Sequence, residues 1–123
     1  MGLPIGNHVV FCATIDGEEV TRKYTPISDV HESGFVDFVI KVYRKNQHPR
    51  FPEGGKMTQY LESLNPGQSM SIEGPKGLLT YKGYGNFEIK RRPFPNVRKN
   101  IGCIAGGTGI TPCYAVIQAS LRN

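Results

Sequence analysis

The sequence predicts a mainly β fold, an antiparallel barrel of short strands interrupted by one helix and followed by a single β-α unit. Three observations lead there. Apolar and polar residues alternate in several short runs, as they do along half-buried strands. Fifteen glycines and nine prolines are spread between those runs as turns and do not gather into one low-complexity stretch. The period then changes twice, to a helical stripe over residues 57–64 and, beyond residue 100, to a strand, glycine turn and helix.

Residues 8–15 alternate, with Val9, Phe11, Ala13 and Ile15 on one face. Asp16-Gly17 is a strong hairpin signal. Residues 19–25 form the return strand, with Val20, Arg22 and Tyr24 sharing a face and Pro26 stopping it. The clearest alternation lies over residues 35–43, where Val36, Phe38, Ile40 and Val42 oppose Asp37, Val39, Lys41 and Tyr43. After a Pro- and Gly-rich stretch, Met57, Tyr60, Leu61 and Leu64 fall at helical spacing, and Asn65-Pro66-Gly67 ends the helix. Three more short strands are expected around residues 69–73, 78–81 and 86–90, enough to close a barrel.

Residues 91–100 read as a basic, exposed linker, since Lys90, Arg91, Arg92, Arg98 and Lys99 flank Pro93 and Pro95. Residues 101–105 are apolar with little alternation, as in a strand buried on both faces. Gly106-Gly107-Thr108-Gly109 turns the chain, and Pro112 opens a helix with Thr111 as its expected N-cap. Cys113, Val116, Ile117 and Leu121 give that helix an apolar face. The expected organisation is a barrel domain over residues 1–90, a linker over 91–100 and the start of a second domain over 101–123. A parallel strand needs a partner reached by a crossover, so this last unit is expected to be the beginning of a larger α/β domain.

Composition narrows the classes. The chain has 123 residues, of which 20% are charged and 38% hydrophobic, as in an ordinary globular domain. No apolar run reaches the ~20 residues of a membrane span, and the N-terminus has neither a basic nor an apolar segment of a signal peptide. Three cysteines without a C-x-x-C pair fit a reducing compartment better than a disulfide scaffold. His8, His31 and His48 are too scattered for a metal site. A formal charge of +5 favours an acidic partner. Nucleic acid is disfavoured, because the aromatic residues fall mostly on core-like alternating positions and form no stacking face beside the basic loop.

Two glycine-rich helix starts carry candidate chemistry. At Gly106-Gly107-Thr108-Gly109 a strand, a turn and a helix N-terminus would aim backbone N–H groups at an anion. A Walker A loop is not met there, because Thr108 stands at the lysine position. The dinucleotide fingerprint is not met either, because Pro112 stands at the third glycine. At Gly54-Gly55-Lys56-Met57-Thr58, backbone amides, the Lys56 ammonium and the Thr58 hydroxyl would converge on a second anion. Arg22 adds a forked, always-charged donor suited to phosphate, with the Tyr24 ring beside it on the same strand face. Together they suit a dinucleotide with a flat ring.

The stretch Arg22-Lys23-Tyr24-Thr25-Pro26-Ile27-Ser28 resembles the R-x-Y-T-P-x-S motif of the ferredoxin–NADP reductase superfamily. The cytochrome b5 reductase branch is resembled more specifically by Ile40-Lys41-Val42-Tyr43, His48-Pro49-x-Phe51-Pro52 and Gly54-Gly55-Lys56-Met57-Thr58-Gln59-Tyr60-Leu61. Gly74-Pro75-x-Gly77 and Gly106-Gly107-Thr108-Gly109-Ile110-Thr111-Pro112 extend the likeness. The matches run in order through nearly the whole chain, and the ordered set is far more specific than any one of them.

The resemblance implies an incomplete antiparallel Greek-key flavin-binding barrel joined to the first β-α unit of a parallel nucleotide-binding domain. It implies FAD as cofactor, NADH as electron donor in the complete enzyme, and cytochrome b5 or a similar acidic haem protein as acceptor. Arg22 would hold the FAD pyrophosphate, with Lys23 adjoining it in the motif, and Tyr24 would pack along the ribityl and flavin. Thr25 would hydrogen-bond near the reactive flavin nitrogen. Val39, Ile40 and Lys41 would border the isoalloxazine, with Lys41 also near NADH, and Tyr43 would frame the adenine side. Gly55, Lys56, Met57 and Thr58 would bind phosphate, Gly106, Gly107, Thr108 and Gly109 would form the NADH turn, and Thr111 would close over the flavin. The full-length protein is expected on the cytoplasmic side, at the endoplasmic reticulum or mitochondrial outer membrane, anchored only through a segment absent here. Relatives of this family have about two strands before Gly2-Leu3-Pro4-x-Gly6 and most of a nicotinamide domain after residue 123. The alternative expectation is therefore a truncated, non-catalytic fragment that at most binds FAD.

Overall fold

The computed structural model describes residues 1–122, and side chains at all of these except 93–96. The strands are β1 (His8–Ile15), β2 (Glu18–Tyr24), β3 (Ser71–Lys76), β4 (Leu79–Gly83), β5 (Asn86–Ile89) and β6 (Arg92–Val97). Helix α1 (Lys56–Ser63) lies between β2 and β3, and a short 3-10 turn at Gly107–Gly109 leads into helix α2 (Ile110–Arg122). The strands form two antiparallel three-stranded sheets, ordered β2-β1-β3 and β4-β5-β6.

Local chemistry explains the elements that form as expected. Asp16 and Gly17 both have positive φ, 51° and 78°, which matches the right-handed twist of the β1-β2 hairpin. Pairing runs from Val9 opposite Tyr24 to Ile15 opposite Glu18. The inward face of this sheet and the stripe of α1 meet in one core of Val9, Phe11, Val20 and Met57. Phe11 is its hub, with ring centroids 4.8 Å from Tyr24 and 4.9 Å from Phe38. Met57 is only 1% exposed, and burying such a side chain contributes about 1.5–3 kcal/mol.

The second sheet is tied to the N-terminal segment through Asn7. Its buried amide donates to the Leu79 carbonyl at 3.1 Å and to the Thr80 hydroxyl at 2.8 Å. The Tyr81 N–H donates to the Ile5 carbonyl at 2.8 Å, and the Tyr81 ring packs 5.0 Å from Phe87.

The two antiparallel sheets are open ladders, as an incomplete barrel implies. Four other expectations are corrected. Residues 35–43 keep their alternation as burial, with Val36, Phe38, Ile40 and Val42 half-buried and the residues between them exposed. They make no ladder among the described residues. A strand is defined by its partner, and this segment is held by single bonds instead, such as Ile27 N–H to the Asp37 carbonyl at 2.9 Å. Residues 92–97, expected in the linker, form β6 against β5, with Phe87 opposite Asn96 and Ile89 opposite Arg92. The strand tolerates Pro93 and Pro95 because it lies at the edge of its sheet, where a missing N–H need not break a ladder. Residues 101–105 form no strand and lie exposed, Ile104 completely so; a both-faces-buried strand needs neighbours that no described residue supplies. Helix α2 also begins at Ile110, so Thr111 lies in its first turn and is not its N-cap.

Candidate functional site

The two-residue period of β2 sets the first half of the site. Val20, Arg22 and Tyr24 share a face, with Val20 buried, Arg22 exposed and Tyr24 half-buried. Arg22 pairs opposite Phe11 and Tyr24 opposite Val9, so both rise directly from the core sheet. Burial pushes the Tyr24 phenol above its ordinary pKa, and the neighbouring Arg22 charge opposes that shift. Arg22 Nη1 donates to the Thr21 carbonyl at 2.7 Å, and among the described residues no carboxylate forms an ion pair with it.

Helix α1 supplies the second half. Lys56 hydrogen-bonds and ion-pairs with Glu18. That contact raises the lysine and lowers the glutamate, while Arg22 is close enough to oppose the lysine's charge. Arg22 is therefore near enough to act on both the Tyr24 phenol and the Lys56 ammonium, and Lys56 opens α1, where the first N–H groups have no acceptor within the helix.

The 35–43 segment is fastened to this corner through Tyr43. Its N–H donates to the Thr58 hydroxyl at 3.1 Å, and its carbonyl accepts from the Gly55 N–H at 2.8 Å. Gly54 and Gly55 permit the approach, since a Cβ on Gly54 would stand 2.4 Å from the Tyr43 carbonyl oxygen and one on Gly55 3.3 Å from the Tyr43 Cβ. Val39, Lys41 and Tyr43 form an exposed strip, with Lys41 Nζ 5.3 Å from the Tyr43 ring centroid.

The structure sorts the sequence-predicted residues. Arg22, Tyr24, Gly55, Lys56 and Tyr43 come together around the α1 N-terminus, with Val39 and Lys41 along the adjoining strip. Ile40 points into the core instead. Among the described residues the Met57 side chain is the most deeply buried of the core, so only its backbone can face a ligand. The Thr58 hydroxyl is committed to Tyr43 and Gly55. Lys23 lies on the opposite sheet face, beside His8.

Thr25 leads elsewhere, into a cleft of about 270 Å3 between the N-terminal segment, residues 25–32, β4 and α2. Thr111 is buried, and its hydroxyl donates to the Thr108 carbonyl at 3.0 Å. Gly106, Gly107 and Gly109 are open, with no heavy atom within 4 Å of where a Cβ would stand. Their small size is not demanded by packing within the chain.

Two contacts escaped sequence reasoning. Asn7 bridges residues more than seventy positions away, and no local pattern marks it. Asp29, with its side chain 9% exposed, pairs with Arg122 at the end of α2 and accepts from the His31 N–H at 2.8 Å. The Asp29-x-His31 turn is a local signal that could have drawn attention to it. Among the described residues no three His, Cys, Asp or Glu side chains cluster as a metal site. No helix there is long and apolar enough to cross a membrane.

Comparison with known proteins gives a consistent picture. Residues 1–81 match the family model described as oxidoreductase FAD-binding domain. The chain is 53% identical over 127 residues to NADH-cytochrome b5 reductase 1 of Bos taurus, covering 100% of this chain and 42% of that protein. It is 50% identical over 123 residues to nitrate reductase [NADH] 2 of Phaseolus vulgaris, covering 14% of it. The solved cytochrome b5 reductase domain of Ulva prolifera nitrate reductase superposes with a TM-score of 0.92 at 41% identity, over 99% of this chain and 45% of that one. The chain thus spans less than half the length of each.

Proposed function

The chain belongs to the oxidoreductase FAD-binding domain family, and from that premise we propose that it holds FAD across the corner between β2 and α1, as the flavin-binding part of an NADH-dependent reductase that passes electrons to cytochrome b5. The observation that carries this reading is Arg22, which shares a strand face with Tyr24, acts on the charge of Lys56 at the start of α1, and has no carboxylate paired to it among the described residues. A dinucleotide flavin needs cations and N–H donors for its pyrophosphate, and a flat apolar surface for its ring. The corner offers the first, and Tyr24 with the exposed Val39, Lys41 and Tyr43 strip offers the second.

In this reading Arg22 grips the pyrophosphate, with backbone N–H groups at Lys56, Met57 and Thr58 completing the cradle. Lys56, engaged by Glu18, tunes the local charge. Tyr24 packs along the ribityl and ring, Val39 and Lys41 border the isoalloxazine, and Tyr43 frames the adenine side. Thr25, at the mouth of the neighbouring cleft, is assigned to the reactive edge of the flavin, and Thr111, whose hydroxyl is engaged by the Thr108 carbonyl, closes over the flavin from α2. The bound flavin supplies the redox chemistry, and the protein supplies position, charge and shelter from water. The open glycine turn at 106–109 faces NADH in the complete enzyme, with the domain boundary near residues 91–100. The basic residues Lys90, Arg91, Arg92, Arg98 and Lys99 meet an acidic haem partner, and membrane association belongs to the full-length protein.

Titrating FAD into the purified chain tests the reading. Saturable quenching of flavin fluorescence at one FAD per chain is expected, weakened about tenfold to a hundredfold by Arg22→Ala, as for losing a hydrogen bond to a charged group worth about 1.5–3 kcal/mol. A folded chain that shows no saturable FAD binding would overturn it.

A further inference from the structure

Residues 35–43 alternate in burial as a strand does, yet they belong to neither sheet. Along such a run the N–H and C=O of one residue point to one edge, and those of the next point to the other. The chain itself occupies the odd-numbered edge. Asp37 donates its N–H to the Ser28 hydroxyl at 3.0 Å and accepts from the Ile27 N–H at 2.9 Å. Tyr43 likewise donates to Thr58 and accepts from Gly55. On the even-numbered edge, the backbone groups of Val36, Phe38, Ile40 and Val42 have no hydrogen-bond partner among the described residues. The run is nevertheless anchored, because the Phe38 and Ile40 side chains pack against the core. A fixed, unpaired edge of this kind is a template for another strand.

We infer that residues 35–43 are a self-complementary docking edge, through which two copies of this chain pair antiparallel into an isologous dimer. The side-chain order selects a second copy as the occupant. Outward from Val39, Asp37 and Lys41 stand at equal distance on either side, and so do Phe35 and Tyr43. Antiparallel pairing about Val39 therefore sets each Asp37 opposite the partner's Lys41, and each Phe35 opposite the partner's Tyr43. All five side chains are exposed, and neither Asp37 nor Lys41 has an ion pair within the chain among the described residues. Opposite charges and aromatic pairs directly across a ladder both stabilise it. In this register Val36 and Phe38 exchange hydrogen bonds with the partner's Val42 and Ile40, which uses the edge the chain leaves unpaired. A slip of one residue would turn the partner's apolar face outward. A slip of two would set Asp37 against Val39 or Tyr43 and lose both charge pairs. The bonds are made by backbone groups that the flavin corner does not use, so dimerisation is measured without FAD.

Sedimentation velocity of the full chain over a range of concentrations tests this. The expected result is a reversible monomer–dimer equilibrium with a dissociation constant of about 1–100 μM, as suits a small interface. Asp37→Lys and Lys41→Asp should each weaken it about tenfold or more, because like charges then oppose one another at both symmetric positions. Mixing the two single variants should recover the dimer, since every pair across the mixed interface again joins opposite charges. The double variant Asp37→Lys/Lys41→Asp should dimerise as the parent chain does. Circular dichroism confirms that the compared chains are folded, and a general loss of structure cannot produce recovery on mixing. A folded parent chain that stays monomeric at every concentration would overturn the inference and leave the edge to a different strand. A dimer that survives either single reversal, a mixture no tighter than its components, or open-ended oligomers in place of a dimer would each overturn it as well.

Discussion

Tyr43 and Thr58 are joined backbone to side chain: the Tyr43 N–H donates to the Thr58 hydroxyl at 3.1 Å, and the same hydroxyl donates to the Gly55 carbonyl at 3.3 Å. Thr58 therefore positions the strip that carries Val39 and Lys41. Thr58→Val keeps the shape and removes the acceptor. Because the bond is exposed and water can replace it, the expected loss is about 0.5–1 kcal/mol in urea unfolding. FAD affinity should fall by more than stability implies, because the strip is released, and Thr58→Ser should restore both. Equal FAD affinity in the valine variant would show that the strip is held without Thr58.

Gly54 has φ +72°, and a Cβ there would lie 2.4 Å from the Tyr43 carbonyl oxygen. Gly54→Ala is expected to destabilise the chain by about 1–3 kcal/mol, from left-handed strain plus displacement of Tyr43. Gly17 has a similar φ of +78° but open space around it. Gly17→Ala should therefore cost only the backbone part, about 1–2 kcal/mol. Urea midpoints of the two variants isolate the contribution of the close approach, and equal midpoints would remove it.

Much of this site was legible in the sequence, and the legible parts share a cause. The Asp16-Gly17 hairpin and helix α1 are specified by residues within a few positions of one another. Arg22 and Tyr24 share a face because the strand period is two. The alternation over residues 35–43 survives as burial for the same reason. Ladders were not legible, because pairing is decided by a partner elsewhere: the same run makes no ladder, while the proline-bearing residues 92–97 pair with β5 at a sheet edge. Asn7 and the Arg122–Asp29 pair depend on contacts many tens of residues apart. Met57 enters the core as its place on the helical stripe predicts, whereas nothing local marks the Thr58 hydroxyl as the partner of the Tyr43 N–H and the Gly55 carbonyl.

Met57 separates backbone from side-chain roles. Its side chain is 1% exposed in the core with Val9, Phe11 and Val20. Met57→Ala should lower stability by about 2–5 kcal/mol, whereas Met57→Leu should cost less than about 1.5 kcal/mol. If only the backbone N–H meets phosphate, Met57→Leu should bind FAD as the parent chain does. A folded leucine variant with FAD affinity reduced tenfold or more would instead assign the side chain a part in binding.

His8 gives the fold a dependence on pH. Burial first, and then the Lys23 and Lys76 charges on the same outer sheet face, hold its pKa below the ordinary 6.5. The unfolded chain therefore binds a proton more readily than the folded one. The neutral imidazole costs nothing above the unfolded pKa. As pH falls through 6.5 toward the lowered folded value, the unfolded state is favoured progressively, and below that value the loss is complete. Urea midpoints measured from about pH 7.5 down to about pH 5.5 should fall for the parent chain. His8→Gln, which cannot titrate, should flatten that part of the profile, while the loss below about pH 4.5 from protonating Glu18 and Glu73 remains. Lys76 lowers the Glu73 pKa as Lys56 lowers that of Glu18, so their contributions persist above the carboxylate range and vanish only in acid. An unchanged slope between pH 7.5 and 5.5 in His8→Gln would place the dependence on another group.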